Sequence, residues 1–291
     1  MVALQELMRE RFANWPEDLP QQSGWPAFFQ ECPAPAFDQV PVDLRLTDDA
    51  LVWPGRRGEL QAGAPDGAHF TRAFDDIAPE DVRVVVLGQD PYPSVAQATG
   101  RAFEDGAWRG GRPQNMAKSL KPLVLAALAT RNDFAGLFRA GSWPQVRRLI
   151  KEEALALPAI RAYFDALAGQ GVLFVNAAWT HTRSSDIGAH LSLWQPVLHY
   201  FLRKLARDAQ APLLFVLLGK KAQARFAASG AEAEAQRAGS WGNRIGKVDL
   251  PHPKNGQFFE QNPWLRANQL LVRLDAQPLD WWPPLPPAAP A

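Results

Sequence analysis

Only one cysteine, Cys32, occurs in 291 residues. That excludes an internal disulfide framework, an iron–sulfur cluster and any zinc site built on several thiolates. The five histidines, His69, His181, His190, His199 and His252, show no HExxH or other tight ligand spacing. Neither a metal nor a cofactor is therefore expected. No apolar run approaches the ~20 residues of a membrane-spanning helix, and "MVALQELMRERF" carries charges where a secretory signal would be apolar. These absences lead to the expectation of a soluble, cytoplasmic protein. There is also no internal repeat and no interior linker, and a hydrophobic content of 47% suits one sizeable core.

Net charge is only +1, but the charge is polarised along the chain. Residues 1–100 carry 7 Lys and Arg against 16 Asp and Glu, whereas residues 101–291 carry 24 against 14. A basic face on a nearly neutral protein is what phosphate binding through counterion release needs; scattered, solvated arginines are the alternative.

Three stretches read as strands covered on both faces, because each is short, continuously apolar and bounded by a polar or glycine break. They are Val84 to Leu87, "GVLFVNAAW" from Gly171 and "PLLFVLLG" from Pro212. Helical text, "IRAYFDALAGQ" and "LWQPVLHYFLRKLARDAQ", precedes the second and third, and "HFTRAFDDIAPEDV" from His69 resembles a helix leading into the first. A weaker fourth strand is "NRIGKVDLPHP" from Asn243. Strands alternating with helices predict an α/β fold, a three-layer α/β/α sandwich with a mainly parallel four-stranded sheet. Residues 1–68 are expected to form an irregular segment packed on a 69–282 domain, and residues 283–291 a disordered proline-rich tail or, alternatively, a PxxP ligand.

In such sheets the carboxyl ends of the strands line the ligand crevice. Here those ends carry Gln89-Asp90, Asn176, Gly219 and His252. Asp90 taken alone reads equally well as a turn residue, since Asp-Pro is common turn chemistry. An acid, an amide and a histidine at neighbouring strand ends form a plausible site.

The residues around these strand ends resemble the family 1 uracil-DNA glycosylases. The family's GQDPY motif stands at Gly88 to Tyr92, with Gln97, Ala98, Gly100 and Phe103 in register after it. "FVNAAWT" around Asn176 is similar to the uracil-reading strand, "LLFVLLGKKAQ" to the later strand and His252-Pro253 to the HP motif. "FFEQNPWLRANQLL" and "QPLDW" resemble the closing segments, so the likeness runs from about His69 to Trp281.

The resemblance implies a monomeric enzyme that hydrolyses the N-glycosidic bond of uracil in single- or double-stranded DNA. Cleavage of that bond builds positive charge on the sugar and negative charge on the base. Asp90 would orient water and stabilise the sugar cation, and a neutral His252 would donate to the uracil oxygen. Gln89 belongs to the substrate-binding set. Asn176 would read the flipped base, Phe103 would stack on it, and Tyr92 would exclude the methyl of thymine. Ser119, Pro253, Lys254 and Asn255 would face DNA. A glycosylase for another damaged base, a non-catalytic uracil-DNA binder and a lyase using Lys254 are the alternatives.

Several departures from the family pattern carry information. Pro93 and Ser94 replace the usual histidine and glycine after the tyrosine, and Ala96 and Thr99 also depart from the pattern. "RPQNMAKSL" stands in place of a proline-rich loop, and an insert over 131–150 is either a DNA contact or a solvated helix. After His252 the family has a loop leucine that enters the base stack, whereas this chain has only "KNGQ" before Phe258. Phe258, Trp264 and the insert are the candidate substitutes. Without one, the protein inhibitor of family 1 enzymes, which grips that leucine, should bind weakly or not at all.

Overall fold

The computed structural model describes residues 1–47, 50–108 and 116–284. Arg112 to Asn115 of the altered loop and residues 285–291 of the expected tail lie outside the described residues.

The chain opens with a two-residue strand β1 (Val2–Ala3) and helices α1 (Leu4–Phe12) and α2 (Trp25–Phe28), and β2 (Arg45–Leu46) pairs antiparallel with β1. The central strand β3 (Val84–Gly88) follows, then α3 (Leu120–Leu128), α4 (Trp143–Lys151) and α5 (Ile160–Ala168). The remaining order is β4 (Val172–Asn176), α6 (Ile187–Asp208), β5 (Leu213–Leu218), α7 (Lys220–Ser229), α8 (Ala231–Arg237), β6 (Ile245–Leu250) and α9 (Pro263–Arg273).

All pairings in the four-stranded sheet are parallel, in the order β4-β3-β5-β6. β3, β4 and β5 are buried along their whole length, whereas β6, on the edge, exposes Asp249. Because successive side chains of a strand point to opposite faces, each apolar run serves two cores. Val85, Leu87, Leu173, Val175, Phe215 and Leu217 pack with α1, α6 and an aromatic group that includes Trp15, Trp179 and Trp194. Val84, Val86, Phe174, Leu214, Val216 and Val248 pack with α3, α5 and α9. The result is the expected three-layer α/β/α sandwich.

Two local readings are corrected. The segment from His69 is not an α-helix but contains two short 3-10 turns, Arg72–Phe74 and Pro79–Asp81. Its polar side chains bond outward instead of leaving the backbone to coil: Thr71 Oγ1 donates to the Asp18 carbonyl, and His69 bridges Thr71 and Asp75. The long helix α6 begins at Ile187, ahead of the text that suggested it, and carries Pro196 in its interior.

The N-terminal segment contributes Met8, Phe12, Trp15 and Trp25, all buried, to the first core. At the other end Trp281 stacks on Trp264 at 4.2 Å, and its carbonyl accepts from Tyr163 Oη. The 131–150 insert folds as a 3-10 turn and α4, resting Phe134, Phe138 and Trp143 on the second core while Arg147, Arg148 and Lys151 face solvent.

Candidate active site

The parallel register brings the strand ends together. Gly88 pairs with Asn176, Leu87 with Leu217, and Leu218 with Leu250, so the segments that follow β3, β4, β5 and β6 emerge side by side. They surround a cavity of about 470 Å³ lined by Gln89, Asp90, Tyr92, Phe103, Ser119, Asn176, His252 and Lys254 among others. Both proposed catalytic groups and all four proposed base-contacting residues therefore meet in one pocket.

Close backbone approach makes the pocket floor possible. A Cβ at Gly88 would lie 2.3 Å from Asn176 Oδ1, so only glycine leaves room for the carboxamide. Asn176 is 3% exposed, and its side chain makes no hydrogen bond to protein among the described residues. Its carboxamide lines the cavity, where a ligand presenting complementary groups can meet its donor and acceptor. Gly219, at φ 98°, likewise lets β5 turn into α7 beneath His252, whose Cβ would be 2.8 Å from any side-chain carbon there.

Tyr92 is pinned: its hydroxyl lies 3.1 Å from Ser119 Oγ and donates to the Phe103 carbonyl at 3.1 Å. Burial pushes its phenol well above the ordinary range. Phe103 has φ 65°, unusual for a residue with a Cβ, and such strain gathers where a side chain must point in one direction. Beneath it, Arg101 pairs with Asp76 and Asp165, the latter at 2.6 Å. Ser119 is only 6% exposed and serves Tyr92. Pro253 is also buried, whereas Lys254 and Asn255 are exposed. Asn255 caps the following turn by accepting from the Gln257 N–H.

Burial raises Asp90 above its usual value, and His181, a hydrogen bond from Gln89, Lys221 and Lys254 pull the other way. His252 is pushed below 6.5 by burial and then by Lys254 and Lys221. The backbone N–H of Lys254 donates to His252 Nδ1 at 3.1 Å, so a neutral ring carries its proton on Nε2. The arrangement offers a carboxylate and a neutral imidazole donor in the same half-buried space.

The family model for the uracil DNA glycosylase superfamily matches residues 74–271. The chain belongs to that superfamily. A uracil-DNA glycosylase of Mycobacterium tuberculosis (strain ATCC 25618 / H37Rv) is 30% identical over 273 residues, 89% of this chain and 94% of the relative. Uracil-DNA glycosylase 1 of Streptomyces coelicolor is 29% identical over 230 residues, 77% of this chain and 84% of its own. Among solved structures, the wild-type UNG of Nitratifractor salsuginis is 24% identical with a TM-score of 0.48, covering 71% of this chain and 77% of that one.

For this superfamily member, two candidate replacements for the loop leucine are removed by the structure. Phe258 and Trp264 are 0% and 1% exposed, held inside the second core. Phe138 of the insert packs against Phe258 and Phe259 rather than into solvent. Between Pro253 and Phe258 the exposed side chains are those of Lys254, Asn255 and Gln257.

Four pocket neighbours went unnoticed in the sequence. Arg101, Lys220 and Lys221 line the cavity, and the lysines were findable as the first residues past the Gly219 strand end. His181 stands beside Asp90, its Nε2 3.9 Å from Asp90 Oδ2. Nothing local in "AAWTHTR" announces that contact.

Proposed function

We propose that this enzyme excises uracil from DNA by hydrolysing the N-glycosidic bond, leaving an abasic site. The observation that carries the reading is the meeting of Asp90, His252 and the unpartnered Asn176 amide in one cavity, within a chain of the uracil DNA glycosylase superfamily.

The flipped base lies against Phe103 with its carbonyl and N–H on the Asn176 amide, which cytosine would mismatch. Tyr92, immobilised by Ser119, stands against the ring position that carries thymine's methyl group. As the bond lengthens, the Asp90 carboxylate faces the growing charge on the sugar and accepts the proton of the attacking water. The His252 Nε2–H meets the oxygen of the departing uracil anion. A neutral donor suits this task, because it strengthens as the anion forms without the cost of desolvating a cation. Lys220, Lys221 and Lys254 at the rim supply positive charge for the flanking phosphates.

The enzyme works as a cytoplasmic monomer in this reading, and the protein inhibitor of family 1 enzymes binds it weakly. Incubation with uracil-containing single- and double-stranded oligonucleotides, followed by alkali, tests the reading. Strand scission at uracil and none at thymine or cytosine is expected. Intact uracil strands, or scission only at other modified bases, would reject it.

A further inference from the structure

We propose that His181 is a positioning residue for this reaction, its Nε2 holding the attacking water jointly with Asp90 Oδ2; the proposal rests on the uracil-excising function above. The two atoms are 3.9 Å apart. That is too long for a direct hydrogen bond, yet one water can sit at ordinary hydrogen-bond distance from both. A water held at two points has a defined orientation toward the sugar carbon, which a single carboxylate does not impose. Within the turn, Pro91 and Pro93 offer no polar side chain, and Gln89 is engaged with Asp90 itself through a hydrogen bond.

His181 is built to stay where it is. It is 2% exposed, and its backbone exchanges two hydrogen bonds with Trp53, at 2.9 and 2.7 Å. The Trp53 ring lies 5.0 Å from the imidazole, and Trp53 Nε1 donates to the Tyr92 carbonyl at 3.0 Å. Trp53 thus ties the histidine to the turn that carries Asp90. On the other side the His190 ring lies nearly parallel at 6.4 Å, fixed by Thr180 Oγ1 at 2.9 Å and Thr182 Oγ1 at 3.0 Å. Trp194 Nε1 in turn donates to Thr180 Oγ1. Such a shell of packed and bonded neighbours is what an oriented group requires, and it places the imidazole at the edge of the reacting space rather than inside it.

In the step itself the water oxygen bonds to the sugar carbon as the carbon–nitrogen bond breaks. The electron pair leaves on uracil, and the water proton passes to Asp90. His181 neither gains nor loses a proton.

The test is a double-mutant cycle read by single-turnover excision and by binding to uracil DNA. His181→Leu is expected to slow excision by about 10- to 100-fold while leaving affinity nearly unchanged. In an Asp90→Asn background the same substitution should cost little, because the pair acts as a unit. His181→Gln, which returns a polar atom to the Nε2 position, should recover part of the rate and keeps the test open if the leucine variant folds poorly. An unchanged rate in His181→Leu, an equal loss in the Asp90→Asn background, or a parallel loss of binding would overturn the assignment. If the unmodified protein left uracil DNA intact, the proposed function would fall, and a role for His181 in that reaction with it.

Discussion

At the scale of single residues, Asp90 and His252 sit at strand ends under opposite electrostatic demands. Asp90 must be ionised and His252 neutral for the reaction described, so both conditions fail on the acid side. Burial raises Asp90, so the rate should begin to fall at a higher pH than an ordinary aspartate would allow. His252, lowered by burial and two lysines, stays neutral at pH 7 and adds its own loss on the acid side of the ordinary histidine range. Asp90→Asn should lower kcat by ~10²–10⁴-fold with uracil-DNA affinity retained, since the charge acts mainly in the transition state. His252→Leu should cost about 3–4 kcal/mol, the worth of one well-placed donor to a developing anion. Rates of both variants across pH 5 to 9, with binding measured in parallel, check these outcomes.

At the scale of elements, the loop joining β6 to α9 bears on how a base would leave the helix in the proposed reaction. It presents Lys254, Asn255 and Gln257 to solvent, Phe259 is half-buried against Phe138 and Phe258, and Phe258 and Trp264 cannot swing out without emptying the second core. Removing a large aromatic ring from a packed core costs about 3–5 kcal/mol, comparable to the whole cost of flipping a base, so such a movement is not a route. With nothing apolar to fill the vacated stack, pairing and stacking of the target oppose extrusion directly. Excision should therefore be fastest on single strands, slower on U·G mismatches and slowest on U·A pairs. Equal single-turnover rates on the three substrates would mean that some other side chain enters the stack.

At the scale of the whole molecule, charge and buried histidines govern how the protein responds to its medium. The basic balance of residues 101–291 should make binding to uracil DNA weaken steeply with salt despite a net charge of +1. A titration of affinity against salt concentration that gave no slope would reject a phosphate-tracking face. Stability should respond to acid. All five histidines have their pKa lowered in the fold, and His190, held between Thr180 and Thr182, is pushed down to about 3. Below 6.5 the unfolded chain takes up protons that the folded chain refuses, so unfolding is favoured as pH falls from 6.5 toward 3. His190 alone contributes at most ~1.4 kcal/mol per pH unit in that window. Thermal melts between pH 7.5 and 5 should show a falling Tm, and His190→Gln should reduce the slope.

The sequence by itself determined the layers and the meeting of Asp90, Asn176 and His252 at one sheet edge. Runs such as Val84 to Leu87 and Leu213 to Leu218 are apolar at every position, short and bounded by glycine or polar breaks, which favours a strand covered on both faces. Given parallel strands, their carboxyl ends had to converge, which brought Asp90, Asn176 and His252 together before any distance was known. Only the tertiary structure decided what surrounds them. Tyr92 is locked by Ser119, 27 positions away, and His181 is set beside Asp90 by a backbone bridge to Trp53. The His252 tautomer depends on how one turn presents the Lys254 N–H. The segment from His69 looked helical because its apolar spacing permits a helix, but side-chain bonds to Asp18 and Asp75 held it in tighter turns. Tyr92, His181 and Thr71 meet partners far away in the chain, and local periodicity reports which face of an element is buried but not which polar group it will meet.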